Sequence, residues 1–211
     1  MASDFLSRLY LVVSREACLG RNIVAITEQA VKGGVDMVQL REKNLPIPEF
    51  TEIAIHLKAM LDCYNVPLII NDALDVAKAS AAYGIHVGNS DMPPSQIKAQ
   101  WPECNMLGYS VEYLEQLAND QVQFADYLGI SPVFITSTKT DTVTEWGLEG
   151  ITTIRGLTPK PLVAIGNMNE KNAFDVIKAG ADCIAVVSAI CGAKDPQKAA
   201  TEIRNQIEKA L

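Results

Sequence analysis

Short apolar runs alternate with stretches in which apolar residues recur every three to four positions, along most of the chain. The runs are RLYLVV (8–13), DMVQLR (36–41), PLIIN (67–71), GIHVG (84–88), NMLGYS (105–110), ADYLGIS (125–131), PLVAIG (161–166) and CIAVVS (183–188). Each has the length and bounding polar residues of a strand. Between them the spacing predicts amphipathic helices. Ile23, Ile26, Ala30 and Val31 share a face behind Asn22, a suitable N-cap. Phe50, Ile53, Ala54, Leu57 and Leu61 form a second stripe, and Ala199, Ile203 and Ile207 another near the end of the chain. Asn169 is placed to cap a helix containing Ala173, Phe174 and Ile177.

Eight strands alternating with helices imply parallel pairing through right-handed crossovers. Eight such units in 211 residues predict an α/β fold, a (β/α)8 TIM barrel spanning residues 1–211 as one domain. The rival arrangement, an open doubly wound sheet, usually carries G-x-G-x-x-G after its first strand, and LVVSREACLG has no such fingerprint.

Composition narrows the function more than the fold. With 48% hydrophobic and 20% charged residues the chain is ordinary for a globular protein, and a net charge of −7 argues against nucleic acid as a partner. A local basic pocket for a small anion remains compatible with that charge. Five cysteines without a C-x-x-C pair suggest reduced thiols. The opening MASDFLSRLYLVVS places an acid where a secretory signal would be basic, and no run reaches the ~20 apolar residues of a membrane span. A cytoplasmic protein without membrane contact is expected.

Barrel chemistry is carried at the C-terminal ends of the strands. Strand two ends with Gln39, Arg41 and Lys43, whose period of two points them to one side. Strand three ends at Asn71 and Asp72, Asp91 follows strand four, and Ser110 closes strand five. Thr136, Ser137, Thr138 and Lys139 follow strand six, Gly166 and Asn167 strand seven, and Ser188 strand eight. Two carboxylates from adjacent strand ends suit one Mg2+, which commonly takes one or two carboxylates together with substrate phosphate oxygens. Arg41 and Lys43 beside them would hold those oxygens, so the group is expected to bind a diphosphate. The small residues ending strands seven and eight suit a second phosphate. Two anion sites at one rim suggest two phosphorylated small-molecule substrates.

The segments VQLREK, IINDALDVA, GIHVGNSDMP, LGYS, SPVFITSTKTD, GLEGI, VAIGN and AGADCIAVVSAI, in that order, resemble thiamine phosphate synthase. The resemblance implies a transferase of thiamine biosynthesis that joins an aminopyrimidine diphosphate to a thiazole phosphate and releases pyrophosphate with Mg2+. By resemblance, Gln39, Arg41, Lys43, Asn71, Ser110 and Lys139 contact the pyrimidine diphosphate, and Asp72 and Asp91 bind Mg2+. Thr136, Ser137 and Thr138 line the thiazole side, with Gly166 and the Val187–Ser188 backbone on its phosphate. Arg41, Lys43 and Lys139 would stabilise the leaving group. Departures from the family pattern include Asn167 for a second glycine and Ser131 and Ile135 in the loop after strand six.

Simpler readings exist for several of these residues. Asp72 could be the N-cap of the helix begun by NDALDVAKA. Arg41 and Lys43 could sit in surface ion pairs. The loop from Ser131 to Trp146 is longer than the usual ~2–6 residues and, being rich in hydroxyls, is expected to act as a lid. His86, within a strand, is expected to be a hydrogen-bonded core residue and His56 a helix-surface one. Two other functions stay open: a thiazole tautomerase-like enzyme, and a non-catalytic thiazole-phosphate-binding barrel.

Overall fold

The structure is a computed structural model and describes residues 7–135 and 145–211. The lid expectation, with Thr136, Ser137, Thr138 and Lys139, therefore lies largely outside the described residues. All eight expected strands form: β1 Leu9–Val13, β2 Met37–Leu40, β3 Leu68–Asn71, β4 Gly84–Val87, β5 Met106–Val111, β6 Tyr127–Ile130, β7 Leu162–Ile165 and β8 Cys183–Val186. They pair in parallel in chain order and close into a barrel as β8 pairs with β1.

The helices are α1 Ile23–Lys32, α2 Ile47–Asp62, α3 Leu74–Ala79, α4 Pro94–Gln100, α5 Gly147–Leu157, α6 Ala173–Lys178, α7 Ser188–Cys191 and α8 Pro196–Ala210. None is long and apolar enough to cross a membrane among the described residues. The β5–β6 connection departs from the helical pattern and is made of two 3-10 turns, Leu114–Ala118 and Asp120–Phe124. Buried Gln116 organises it: its carbonyl oxygen accepts from the Glu112 and Tyr113 N–H groups, and its amide donates to the Asn89 side chain and the Ser110 carbonyl. Anchored locally in this way, the segment needs no long apolar stripe.

The amphipathic stripes are nearly as expected. In α1 Asn22 caps the helix by accepting from the Ala25 N–H, and Ile23, Ile26 and Ala30 are buried. In α8 the buried stripe is Ala200, Ile203 and Ile207, one position along from Ala199. Ahead of α6, Asn169 caps a turn by accepting from the Lys171 N–H, and the helix proper begins four residues later. Phe174 faces outward there, with the Lys178 ammonium 5.8 Å from its ring centre.

Strand alternation divides the core in two. Leu9, Leu11, Val38, Leu40, Leu68, Ile70, Ile85 and Leu107 face the helices, while Tyr10, Met37, Ile69, Tyr127, Val163 and Cys183 fill the barrel interior. Both faces are apolar in the lower barrel, which is why the strands look like continuous hydrophobic runs. Gly108 is required inside: a Cβ there would lie 2.2 Å from the Tyr127 ring and 2.3 Å from His86 Nδ1.

Three acids stand immediately before β2, β6 and β8 and clip strand starts together. Asp36 accepts from the Arg8 and Leu9 N–H groups, Asp126 from Leu107, and Asp182 from Leu162. Each also meets a cation: Arg204 at 2.6 Å, Lys98 at 3.1 Å and Arg155 at 2.8 Å. These carboxylates are fully used in holding the N-terminal end of the barrel. The acids at the other end are not.

Candidate functional site

The C-terminal ends of the strands open into a pocket of about 470 Å³, within the ~300–1,000 Å³ usual for small-molecule sites. Gln39, Arg41, Lys43, Asn71, Asp72, Asp91, Ser110, Gly166, Val187 and Ser188 all line it. Every expected site residue among the described ones is thus brought to one cavity. Thr136, Ser137, Thr138 and Lys139 belong to the undescribed segment and are not placed.

The parity argument for β2 holds through its end. Gln39 is buried in the interior, and Arg41 continues the ladder by donating its N–H to the Val13 carbonyl at 2.9 Å. Glu42, between the two cations, turns the other way and accepts from the Arg15 N–H at 2.6 Å. Neither Arg41 nor Lys43 makes an ion pair among the described residues. Both cations stand at the same mouth as Asp72 and Asp91, and Lys43 acts on the Asp72 carboxyl without an ion-pair contact among the described residues.

Asp72 is not a helix cap. The cap position of α3 is Ala73, and no side chain bonds its first turn. Asp72 instead adopts φ +60, a left-handed conformation that costs a non-glycine residue about 1–2 kcal/mol. The surrounding bonds hold it there: its N–H donates to the His86 carbonyl at 2.9 Å, and the Ala73 N–H returns to the Asn71 carbonyl at 2.7 Å. This turn directs the carboxylate back over the barrel mouth, where it accepts from the Asn71 amide. Asp91 arrives from the β4–α4 loop, with one oxygen accepting the Gly88 N–H at 2.8 Å. Asp75, one turn along α3, faces solvent as expected.

Burial, and then the neighbouring Asp91 charge, push the Asp72 carboxyl up to about 7, against a partial offset from Lys43 and Asn71. Unlike the acids at the bottom of the barrel, these two repel each other. Together they supply oxygen ligands and too much negative charge, a donor set suited to a hard divalent cation completed by substrate oxygens and water.

On the opposite side of the mouth, Gly166 has φ +117, and a Cβ there would sit 2.8–2.9 Å from Pro132 and 2.9 Å from the Val133 nitrogen. Only glycine lets the β7 turn approach that closely. Asn167 follows at φ +53, so the departure from a second glycine keeps the left-handed turn, in a residue that tolerates it. Its carbonyl accepts from the Asn169 and Asn172 amides at 3.1 and 2.9 Å. Val187 and Ser188 face this turn across the pocket at the start of α7.

Sequence reading passed over Tyr10 and Tyr127 and set His86 aside as core. All three line the pocket floor. His86 is hydrogen-bonded as expected, to Tyr127 at 3.0 Å and Ser110 at 2.9 Å. Parity could have found them, because each stands on the same inward face as a residue already singled out: His86 registers with Asn71, Tyr10 precedes Val12, the partner of Gln39, by two positions, and Tyr127 likewise precedes Gly129, the partner of Ser110. His56 is exposed on α2.

A family model described as thiamine monophosphate synthase matches residues 9–190. A thiamine-phosphate synthase of Albidiferax ferrireducens is 48% identical over 201 residues, covering 95% of this chain and 92% of that protein. Another, from Leptospira biflexa, is 45% identical over 202 residues, covering 94% and 96%. Among solved structures, a thiamine phosphate pyrophosphorylase from Pyrococcus furiosus superposes with a TM-score of 0.88 at 37% identity, covering 97% and 96%. A 3-hexulose-6-phosphate synthase superposes at a TM-score of 0.67 with 19% identity, a likeness of fold alone. With agreement in sequence over nearly the whole of both chains and in the barrel itself, this chain belongs to the thiamine monophosphate synthase family.

Proposed function

We propose that this chain joins 4-amino-2-methyl-5-(diphosphooxymethyl)pyrimidine to a thiazole phosphate, giving thiamine phosphate and pyrophosphate. The observation that carries the reading is the gathering at one rim of two cations in no ion pair among the described residues and two carboxylates that repel each other. A magnesium diphosphate satisfies both at once. A thiazole tautomerase or a phosphate-binding barrel has no use for the acid pair.

The methylene C–O bond breaks with both electrons leaving on the diphosphate oxygen, and the thiazole nitrogen lone pair forms the new C–N bond. Arg41 offers the departing diphosphate a planar fork and Lys43 a point charge, so both act where negative charge grows. Gln39, Asn71 and Ser110 orient the pyrimidine from the interior side. Gly166, Val187 and Ser188 hold the thiazole phosphate; by family resemblance Thr136, Ser137 and Thr138 would serve the thiazole and Lys139 the diphosphate. Asp72 and Asp91 would hold Mg2+, which when bound supplies further charge neutralisation on the leaving group. No protein nucleophile is needed, and positioning the two rings supplies much of the rest.

The direct test is pyrophosphate release measured with each substrate alone and with both. Release that requires both substrates and Mg2+ is the expected result. Binding of thiazole phosphate without release would favour the non-catalytic barrel.

The acid pair carries its own pH signature. Asp72 holds its proton more tightly in the folded protein, at about 7 against 3.8, so this group's contribution to stability is complete at low pH. It is lost as pH rises through the interval between those two values. The melting temperature of the metal-free protein is expected to carry that loss. Mg2+ should raise the melting temperature more at pH 8 than at pH 6, because protons compete for the same oxygens. A metal response of equal size at both pH values would count against this site.

A further inference from the structure

Beneath the rim, five side chains join into one hydrogen-bonded line across the barrel interior. The Gln39 amide nitrogen donates to the Tyr10 hydroxyl at 2.8 Å, and the two tyrosine hydroxyls lie 3.0 Å apart. The Tyr127 hydroxyl is 3.0 Å from His86 Nδ1, and His86 Nε2 is 2.9 Å from the Ser110 hydroxyl. Tyr10, Tyr127 and Gln39 are 1%, 0% and 4% exposed, so little bulk water competes for these bonds. The line is built into the strands, since Gly108 and Gly129 leave the space that Tyr127 and His86 occupy. Both ends, Gln39 and Ser110, line the pocket.

Each phenol has one proton to give, so a line that starts from the Gln39 donor and runs in one sense has a single direction. In that sense Tyr10 accepts from Gln39 and gives its own proton to Tyr127. Tyr127 in turn gives its proton to His86 Nδ1. The imidazole is then neutral, carries its proton on Nε2 and donates to the Ser110 oxygen. Burial raises the affinity of both phenols for their protons, so neither breaks the sequence by ionising.

We infer that Tyr10, Tyr127 and His86 are positioning residues that set the polarity of the two groups meeting the aminopyrimidine. With its oxygen already accepting from His86, Ser110 turns its proton into the pocket as a donor. With one amide hydrogen committed to Tyr10, Gln39 presents its carbonyl oxygen as an acceptor. One donor and one acceptor match a ring nitrogen beside an exocyclic amino group, whereas a 4-oxo ring would present the opposite pair. The assignment of this edge rests on the synthase reading; the direction of the line does not.

The test has two arms. In the free protein, 15N spectra of the histidine side chains, with His56→Gln to assign the second imidazole, should show His86 neutral and protonated on Nε2. An Nδ1-protonated or doubly protonated His86 at pH 8 would overturn the polarity. In turnover, Tyr127→Phe should raise KM for the pyrimidine diphosphate roughly tenfold and leave KM for the thiazole phosphate unchanged, a loss of about one neutral hydrogen bond. A merely structural role would alter both constants or neither. In a Ser110→Ala background the same substitution should cost little more, because its effect runs through Ser110. Additive effects, or an unchanged pyrimidine KM in an active parent, would sink the inference. A parent that releases no pyrophosphate would sink the synthase reading instead, and the imidazole spectra would still decide the direction of the line.

Discussion

Asp91→Asn should abolish most pyrophosphate release and at the same time make the metal-free protein more stable. Asparagine keeps an oxygen that can accept the Gly88 N–H, now bonded at 2.8 Å, so the β4–α4 loop retains its turn. What it removes is the negative charge. Without that charge the proposed metal site keeps one carboxylate, and the loss of leaving-group stabilisation is expected to be on the order of 10²-fold or more in kcat/KM. The stability effect has the opposite sign. Asp91 is one of the causes that raise the Asp72 carboxyl, so removing it relieves a repulsion that grows with pH. The variant should melt above the metal-free parent at pH 8, with the gap closing near pH 5, where the parent already holds the proton. Mg2+ should then stabilise the parent and have little effect on the variant. Wild-type turnover in a folded Asp91→Asn protein would remove the acid pair from the mechanism.

Arg41→Ala should lower kcat/KM for the pyrimidine diphosphate by about 10²–10³-fold, the usual loss when one preorganised charge stabiliser is deleted. Arg41→Lys should recover only part of this, since an ammonium replaces the charge but not the planar two-pronged donor. Folding stability should barely change in either variant. Arg41 is partly exposed and joins no ion pair among the described residues, so its removal strands none of those as a partner. Thermal melts beside steady-state rates separate these outcomes. A large fall in melting temperature with unchanged rates would make Arg41 a structural residue.

Much of this is legible in the chain itself. Eight apolar runs separated by helical stripes specify a closed parallel barrel, and the C-terminal ends of those runs picked out Arg41, Lys43, Asp72 and Asp91 without reference to any relative. The errors are equally instructive. In α8 Ala199 packs half-buried against the core as its spacing predicts, but the fully buried position is Ala200 beside it, which periodicity did not single out. The β5–β6 segment is held by the polar bonds of Gln116, to which a hydrophobic pattern is blind.

The sequence by itself determined the fold class and the rim chemistry. Strand parity and strand ends are local properties, fixed by a period of two and by where each apolar run stops. Only the tertiary structure separated two kinds of aspartate. Asp36, Asp126 and Asp182 resemble Asp72 and Asp91 as letters, yet the first three are clipped to strand starts and paired with cations, while the last two face each other. Only closure of the barrel could align Tyr10, Tyr127 and His86, which come from β1, β6 and β4. Their contacts span 117 and 41 positions of chain, and no local pattern encodes which side chains will meet across the interior of a closed sheet.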